Sequence, residues 1–193
     1  ARVGSGTYVR TPEEMQSDVQ EWNQDTPGKI DMRAAFAPTG PQTKMLASAM
    51  ADLSQTPQLL NSLLCYAPEV GHPHHRDSFR RWLENEPVTL NDCDFLFTHG
   101  GQHAISVAVQ ALCREGDVIL TEDMVFPGIL AAAQDRKVKV VAVGMDEQGI
   151  LPEQVRAACQ RHNPRAIYLT PNNQNPCGSQ LSLERREALV AIC

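Results

Sequence analysis

Three short stretches of this 193-residue chain combine residue types suited to holding a ligand that carries both an anion and a flat ring. "THGGQHA" (residues 98–104) sets paired glycines at the entry to an apolar-periodic segment. Glycines let a backbone approach an anion closely, and a helix start adds unpaired N–H groups and a positive dipole. Gly100, Gly101 and Gln102 would then cradle a phosphate, although taken alone the two glycines are better read as a tight turn. "TEDMVFPG" (residues 121–128) places Phe126 before Pro127, which suits the first turn of a helix. A flat aromatic at that point can stack on a planar heteroaromatic, although taken alone it is better read as an ordinary core phenylalanine. "TPNNQNPCG" (residues 170–178) carries two X-Pro bonds and a terminal glycine, so the path of the loop is restricted and Asn175 is held in one place. A fixed carboxamide can hydrogen-bond a ligand oxygen. This loop is longer than a connection requires, which favours a ligand role over a plain polar turn.

All three stretches need a scaffold that ends strands side by side. From Asp94 onward the pattern alternates regularly: "DFLFT", "VILT", "KVVAVG" and "AIYLT" read as short apolar strands, separated by the helical segments "HAISVAVQALC", "PGILAAAQ" and "PEQVRAACQ". A last helix opens near Ser182, with Glu184 in its first turn, and is expected to run through Leu189 and Ile192 to Cys193. Such alternation means a largely parallel sheet covered on both faces, an α/β fold. In such sheets the ligand crevice lies at the carboxyl ends of the strands, where the three stretches fall. Upstream, "TKMLASAMADL" repeats Met45, Leu46, Ala49, Met50 and Leu53 at helical spacing. A proline-rich turn follows, then a helix with Phe79, Trp82 and Leu83 on one side.

The front of the chain differs in character. Residues 1–11 pair a Gly-Ser-Gly turn with a strand-like "TYV" and read as the last strand of a hairpin whose partner is not present. Residues 12–41 contain Pro12, Pro27, Pro38 and Pro41 with no sustained period and read as a linker; residues 42–193 read as the globular part. A hydrophobic content of 42%, a charged content of 21% and a net charge of −6 are ordinary for a globular chain and give no support for nucleic-acid binding by this piece. No run approaches the roughly 18 to 20 apolar residues of a membrane helix, and no signal-peptide pattern is present, so the expected compartment is the cytoplasm. The six cysteines are scattered without a C-x-x-C pair and read as reduced thiols; His72, His74 and His75 read as a solvated loop rather than a metal site.

The order "THGGQHA", "EGDVILTEDMVFPG", "YLTPNNQNPCG…LSLERREAL" resembles the fold-type I pyridoxal-phosphate (PLP) enzymes of the aminotransferase class I/II superfamily over residues 42–193. The resemblance implies that Gly100, Gly101 and Gln102 bind the cofactor phosphate, that Phe126 stacks on the pyridine ring and that Asn175 bonds the phenolic oxygen. Tyr66, in a Tyr-x-Pro-x-x-Gly setting, resembles the tyrosine that reaches the phosphate of a neighbouring subunit, so a homodimer is implied. His99 and Gly101 stand where serines are common, Met124 where a proline is usual, Cys177 where a threonine is usual, and His75 where a leucine often starts a helix. "RVGSGTYVR" is similar to the final wing strand of a GntR-type winged-helix DNA-binding domain, and this order of parts is that of MocR-type transcriptional regulators.

The resemblance also implies a lysine that holds the cofactor and an aspartate that pairs with its ring nitrogen. Lys29, Lys44, Lys137 and Lys139 do not match that lysine, so both groups are expected beyond Cys193, and the chain alone is expected to be inactive. The family's sheet has further strands between "DFLFT" and the others, so the chain is expected to be stable only beside its missing half or another copy. Two readings follow: a PLP-responsive regulator that binds DNA through a winged helix and senses PLP or an amino acid, or an aminotransferase that moves an amino group between an amino acid and a 2-oxo acid.

Overall fold

The computed structural model describes residues 40–84 and 95–193. The expected wing strand, most of the linker, Lys29 and Cys93 lie outside the described residues. The chain divides into two units, Ala1–Tyr66 and Ala67–Cys193.

In the first unit, helix α1 (Gln42–Ser54) follows the helical spacing of its apolar residues, with Met45, Leu46 and Met50 exposed. Its end is turned by Ser54 Oγ donating to Ala51 O (2.7 Å) and Thr56 Oγ1 donating to Asp52 O (3.1 Å). A second helix not expected from the sequence, α2 (Pro57–Leu63), starts on Pro57, whose fixed φ suits a first helical position.

The second unit opens with α3 (Pro73–Leu83). His74 and His75 stand in its first turn rather than in a loop, because Pro73 starts the helix directly after His72. The three imidazoles cluster with ring centroids 4.4–5.6 Å apart. Phe79 packs edge-on against Phe95 and Phe97, at 5.3 and 5.9 Å. Residues 95–98 were expected to be strand and are not: no described strand lies beside them, and Arg76 takes the Phe95 carbonyl. An extended segment without a ladder partner has no reason to be held flat.

Helix α4 (Gly100–Leu112) leads to β1 (Val118–Glu122), α5 (Pro127–Asp135) and β2 (Lys139–Val143). Next comes a small hairpin, β3 (Met145–Asp146) and β4 (Gly149–Ile150), followed by α6 (Pro152–His162), β5 (Ala166–Tyr168) and α7 (Leu183–Val190). The hairpin was not foreseen. Asp146 Oδ1 accepts from Gln148 N (2.8 Å), and Gly149 supplies φ +96°, so a short D-x-x-G turn closes it. Helix α7 begins at Leu183, with Ser182 Oγ accepting from Arg185 N at 3.3 Å. It ends at Val190, three residues short of the expected end, because the last amides bond back to Leu189 O as a turn.

The sheet is parallel with order β2–β1–β5, pairing Val118 with Lys139 and Ile119 with Ala166. Successive residues of β1 feed opposite cores. Ile119 joins Val109, Cys113, Ile129, Ala132, Ala133 and Val138, under α4 and α5. Leu120 joins Val143, Ile150, Val155, Leu181 and Leu189, under α6 and α7. Burial on both faces is why these strands are short unbroken apolar runs rather than alternating ones. The five described cysteines carry free thiols, and burial pushes the Cys113 thiol up. Among the described residues no helix is long and apolar enough to cross a membrane.

Candidate functional site

The chain leaves β1 for α5 on one face of the sheet and leaves β5 for α7 on the other. Two neighbouring parallel strands whose following connections diverge in this way open a crevice outside their carboxyl ends. Phe126 lies on the first connection and Asn175 on the second.

The start of α4 forms one wall. Gly100 has φ +83°, a left-handed conformation that glycine adopts without strain, and a Cβ at Gly100 or Gly101 would meet nothing within 4 Å. The first-turn amides of α4 have no intrahelical acceptor, so they face open space with the positive end of the helix dipole. His103 Nδ1 accepts the His99 amide (3.0 Å), and Thr98 Oγ1 donates to Gly100 O (3.1 Å), which fixes the turn. Gln102 then spans to the start of α5, donating from Nε2 to Gly128 O at 2.9 Å. Gly128 permits this closeness: a Cβ there would lie 1.8 Å from Gln102 Oε1 and 2.2 Å from Phe126 Cε1. The half-buried Phe126 ring is thereby held beside the Gln102 side chain.

The second wall is the loop after β5. Asn175 is exposed and joined to Pro176 by a cis peptide bond. The neighbouring Gln174 is buried and anchors the loop from within. Its Nε2 donates to Met124 O and to Glu122 Oε2 (3.2 Å), and its Oε1 accepts from Cys177 N (2.9 Å). Thr170 N also donates to Glu122 Oε2, at 3.3 Å. Cys177 Sγ lies 3.8 Å from Met124 Sδ, so two of the residues that depart from the expected pattern sit together and join the loops. From the far side, Arg186 donates to Leu181 O (2.9 Å), Pro171 O (3.0 Å) and Asn172 Oδ1 (2.6 Å). Glu122 is buried, which pushes its carboxyl above the ordinary range, while the Gln174 and Thr170 N–H groups pull it back in part.

Of the residues expected at the site, Gly100, Gly101, Gln102 and Phe126 are brought together, and the Asn175 loop is tied to the Phe126 loop at Met124. Tyr66 closes the other unit with its side chain fully exposed. Lys137 and Lys139 stand at the amino end of β2, away from the crevice, with Lys137 paired to Glu115 at 3.1 Å. Glu122, Gln174 and Arg186 escaped sequence reading. The one available signal was a Glu closing an otherwise apolar strand.

A parallel sheet with helices on both faces and a glycine-lined crevice at its switch point defines part of a fold-type I aminotransferase domain. The crystal structure of a Pyrococcus horikoshii kynurenine aminotransferase superposes with a TM-score of 0.71 at 19% identity, over 79% of this chain and 39% of that one. The chain belongs to the aminotransferase class I and II family, whose model matches residues 30–193. An uncharacterized HTH-type transcriptional regulator of Bacillus subtilis, YdeF, is 33% identical over 97 residues, covering 50% of this chain and 21% of that protein. An aromatic amino acid aminotransferase of Schizosaccharomyces pombe is 32% identical over 107 residues, covering 52% and 23%. The chain thus spans under a quarter of the length of either curated relative.

Proposed function

We propose that this chain is the first part of a PLP-binding, aminotransferase-like effector domain in a transcriptional regulator that binds DNA through a winged helix upstream. The observation that carries the reading is the crevice itself: the glycine-lined start of α4 meets a half-buried phenylalanine through Gln102 and Gly128, and the loop that bears the exposed Asn175 is tied to the phenylalanine's loop at Met124. This donor set fits the cofactor. Gly100, Gly101 and Gln102 would hold its phosphate, Phe126 its ring and Asn175 its phenolic oxygen. When bound, the cofactor supplies an electron sink for a linked amino acid. The residues in hand would bind and orient it, and none of Lys29, Lys44, Lys137 and Lys139 matches the lysine that would hold it.

The resemblance of residues 1–11 to a wing strand and the likeness to YdeF favour the regulator. The similar identity to an aromatic amino acid aminotransferase supports the enzyme as a second reading. Selection of random duplex DNA on the full-length protein separates them. The regulator reading expects an enriched sequence whose occupancy shifts with PLP, and no amino transfer to a 2-oxo acid. Turnover without enrichment would replace it with the enzyme.

A further inference from the structure

We propose that Glu122 is a positioning residue that sets Asn175 against the ligand by clasping Gln174 from inside the protein; this inference rests on the assignment of Asn175 to the PLP site. Glu122 ends β1, is 1% exposed and leaves Oε1 without a hydrogen-bond partner among the described residues. A buried carboxyl with one oxygen unused is costly and would be replaced by an apolar side chain if packing were its only task. Its other oxygen takes the Gln174 carboxamide and the Thr170 amide, which bracket the start of the loop, 52 and 48 residues away in sequence. Gln174 is itself buried at 2% exposure and spends its remaining groups on Met124 O and Cys177 N.

The residue immediately after Gln174 is Asn175. One carboxylate therefore fixes both ends, Thr170 and Gln174, of the segment that leads directly into Asn175 and couples it, through Gln174 and Met124, to the loop that carries Phe126. Glu122 touches no ligand in this arrangement; it acts through Asn175. An oxygen acceptor at this point is what the clasp requires, and the negative charge is secondary. Glu122→Gln keeps an acceptor in place, whereas Glu122→Leu keeps the volume and removes it.

The test is a double-mutant cycle on PLP affinity in the full-length protein, read by cofactor fluorescence, with amide exchange of residues 170–178 as a second readout. Glu122→Leu is expected to weaken PLP about tenfold and speed exchange in the loop, Glu122→Gln to stay within about threefold of the parent, and Glu122→Leu to add almost nothing to Asn175→Ala. Gln174→Met breaks the same clasp from the loop side and should reproduce the Glu122→Leu result if that variant folds poorly. Additive losses, failure of Glu122→Gln to rescue, or collapse of the fold in both clasp variants would overturn the positioning role. An Asn175→Ala variant with unchanged affinity would instead remove the site assignment on which the inference rests.

Discussion

At the scale of single residues, two carboxylates of this chain have opposite environments and give opposite pH responses. Asp146 takes both Arg185 guanidinium nitrogens, at 2.6 and 2.7 Å, and the Gln148 amide, which hold its pKa down to about 2. Its folded pKa lies below its ordinary 3.8, so its stabilising contribution is present above that value and is lost as pH falls toward 2. Glu122 is displaced upward by burial, above its ordinary 4.5. The folded protein binds that proton more tightly than the unfolded chain does. The contribution is therefore present below 4.5 and is lost as pH rises through the folded value. Urea unfolding of full-length parent and Glu122→Gln across this range should diverge above about pH 4.5, with the parent losing stability relative to the variant. Parallel curves would mean that Glu122 is hydrated in the folded protein. Neither environment was legible in the sequence: Asp146 and Arg185 are 39 residues apart, Glu122 and Gln174 are 52, and no local pattern announces such pairs.

At the scale of elements, the sequence showed most of what positions the site. The change from apolar runs to helical spacing marked β1, β2, β5 and the helices between them, and Pro127 marked the start of α5. Elements that depend on distant partners were not legible in this way. Residues 95–98 look like a strand and lack a described strand to pair with, while the β3–β4 hairpin is too short for any period to register. The junction of α4 with α5 was also invisible, since Gly128 reads as an ordinary residue after proline until its contacts are known. Gly128→Ala should push the Gln102 carboxamide aside and tilt Phe126, because Oε1 is the mobile end of a side chain and can swing away. The expected result is a PLP affinity lowered about tenfold with thermal stability changed by only about 1 kcal/mol. A loss of stability with affinity intact would place Gly128 in the packing of the helices rather than in the site.

At the scale of the whole molecule, the described part of the second unit is an asymmetric piece of a sheet. One side of β1 is covered by β2 and the other by the three-residue strand β5. Over β1 and β5 an apolar groove of about 310 Å³ runs between α4 and the sheet, lined by Ile105, Ala108, Leu112, Ile119, Ile167 and Tyr168. The family of the chain and its parallel α/β architecture were both readable from three motifs in order, of which two follow strands, β1 and β5, and the other opens helix α4. Whether these three motifs form a PLP site is decided by equilibrium titration of the full-length protein with PLP, followed by fluorescence. Saturation at one cofactor per chain is expected. Asn175→Ala should weaken binding by about 1.5 to 3 kcal/mol, about ten- to a hundredfold, through loss of a hydrogen bond to a charged oxygen. Phe126→Ala should weaken it by a comparable or smaller amount through loss of stacking. Unchanged affinity in both variants would contradict the account.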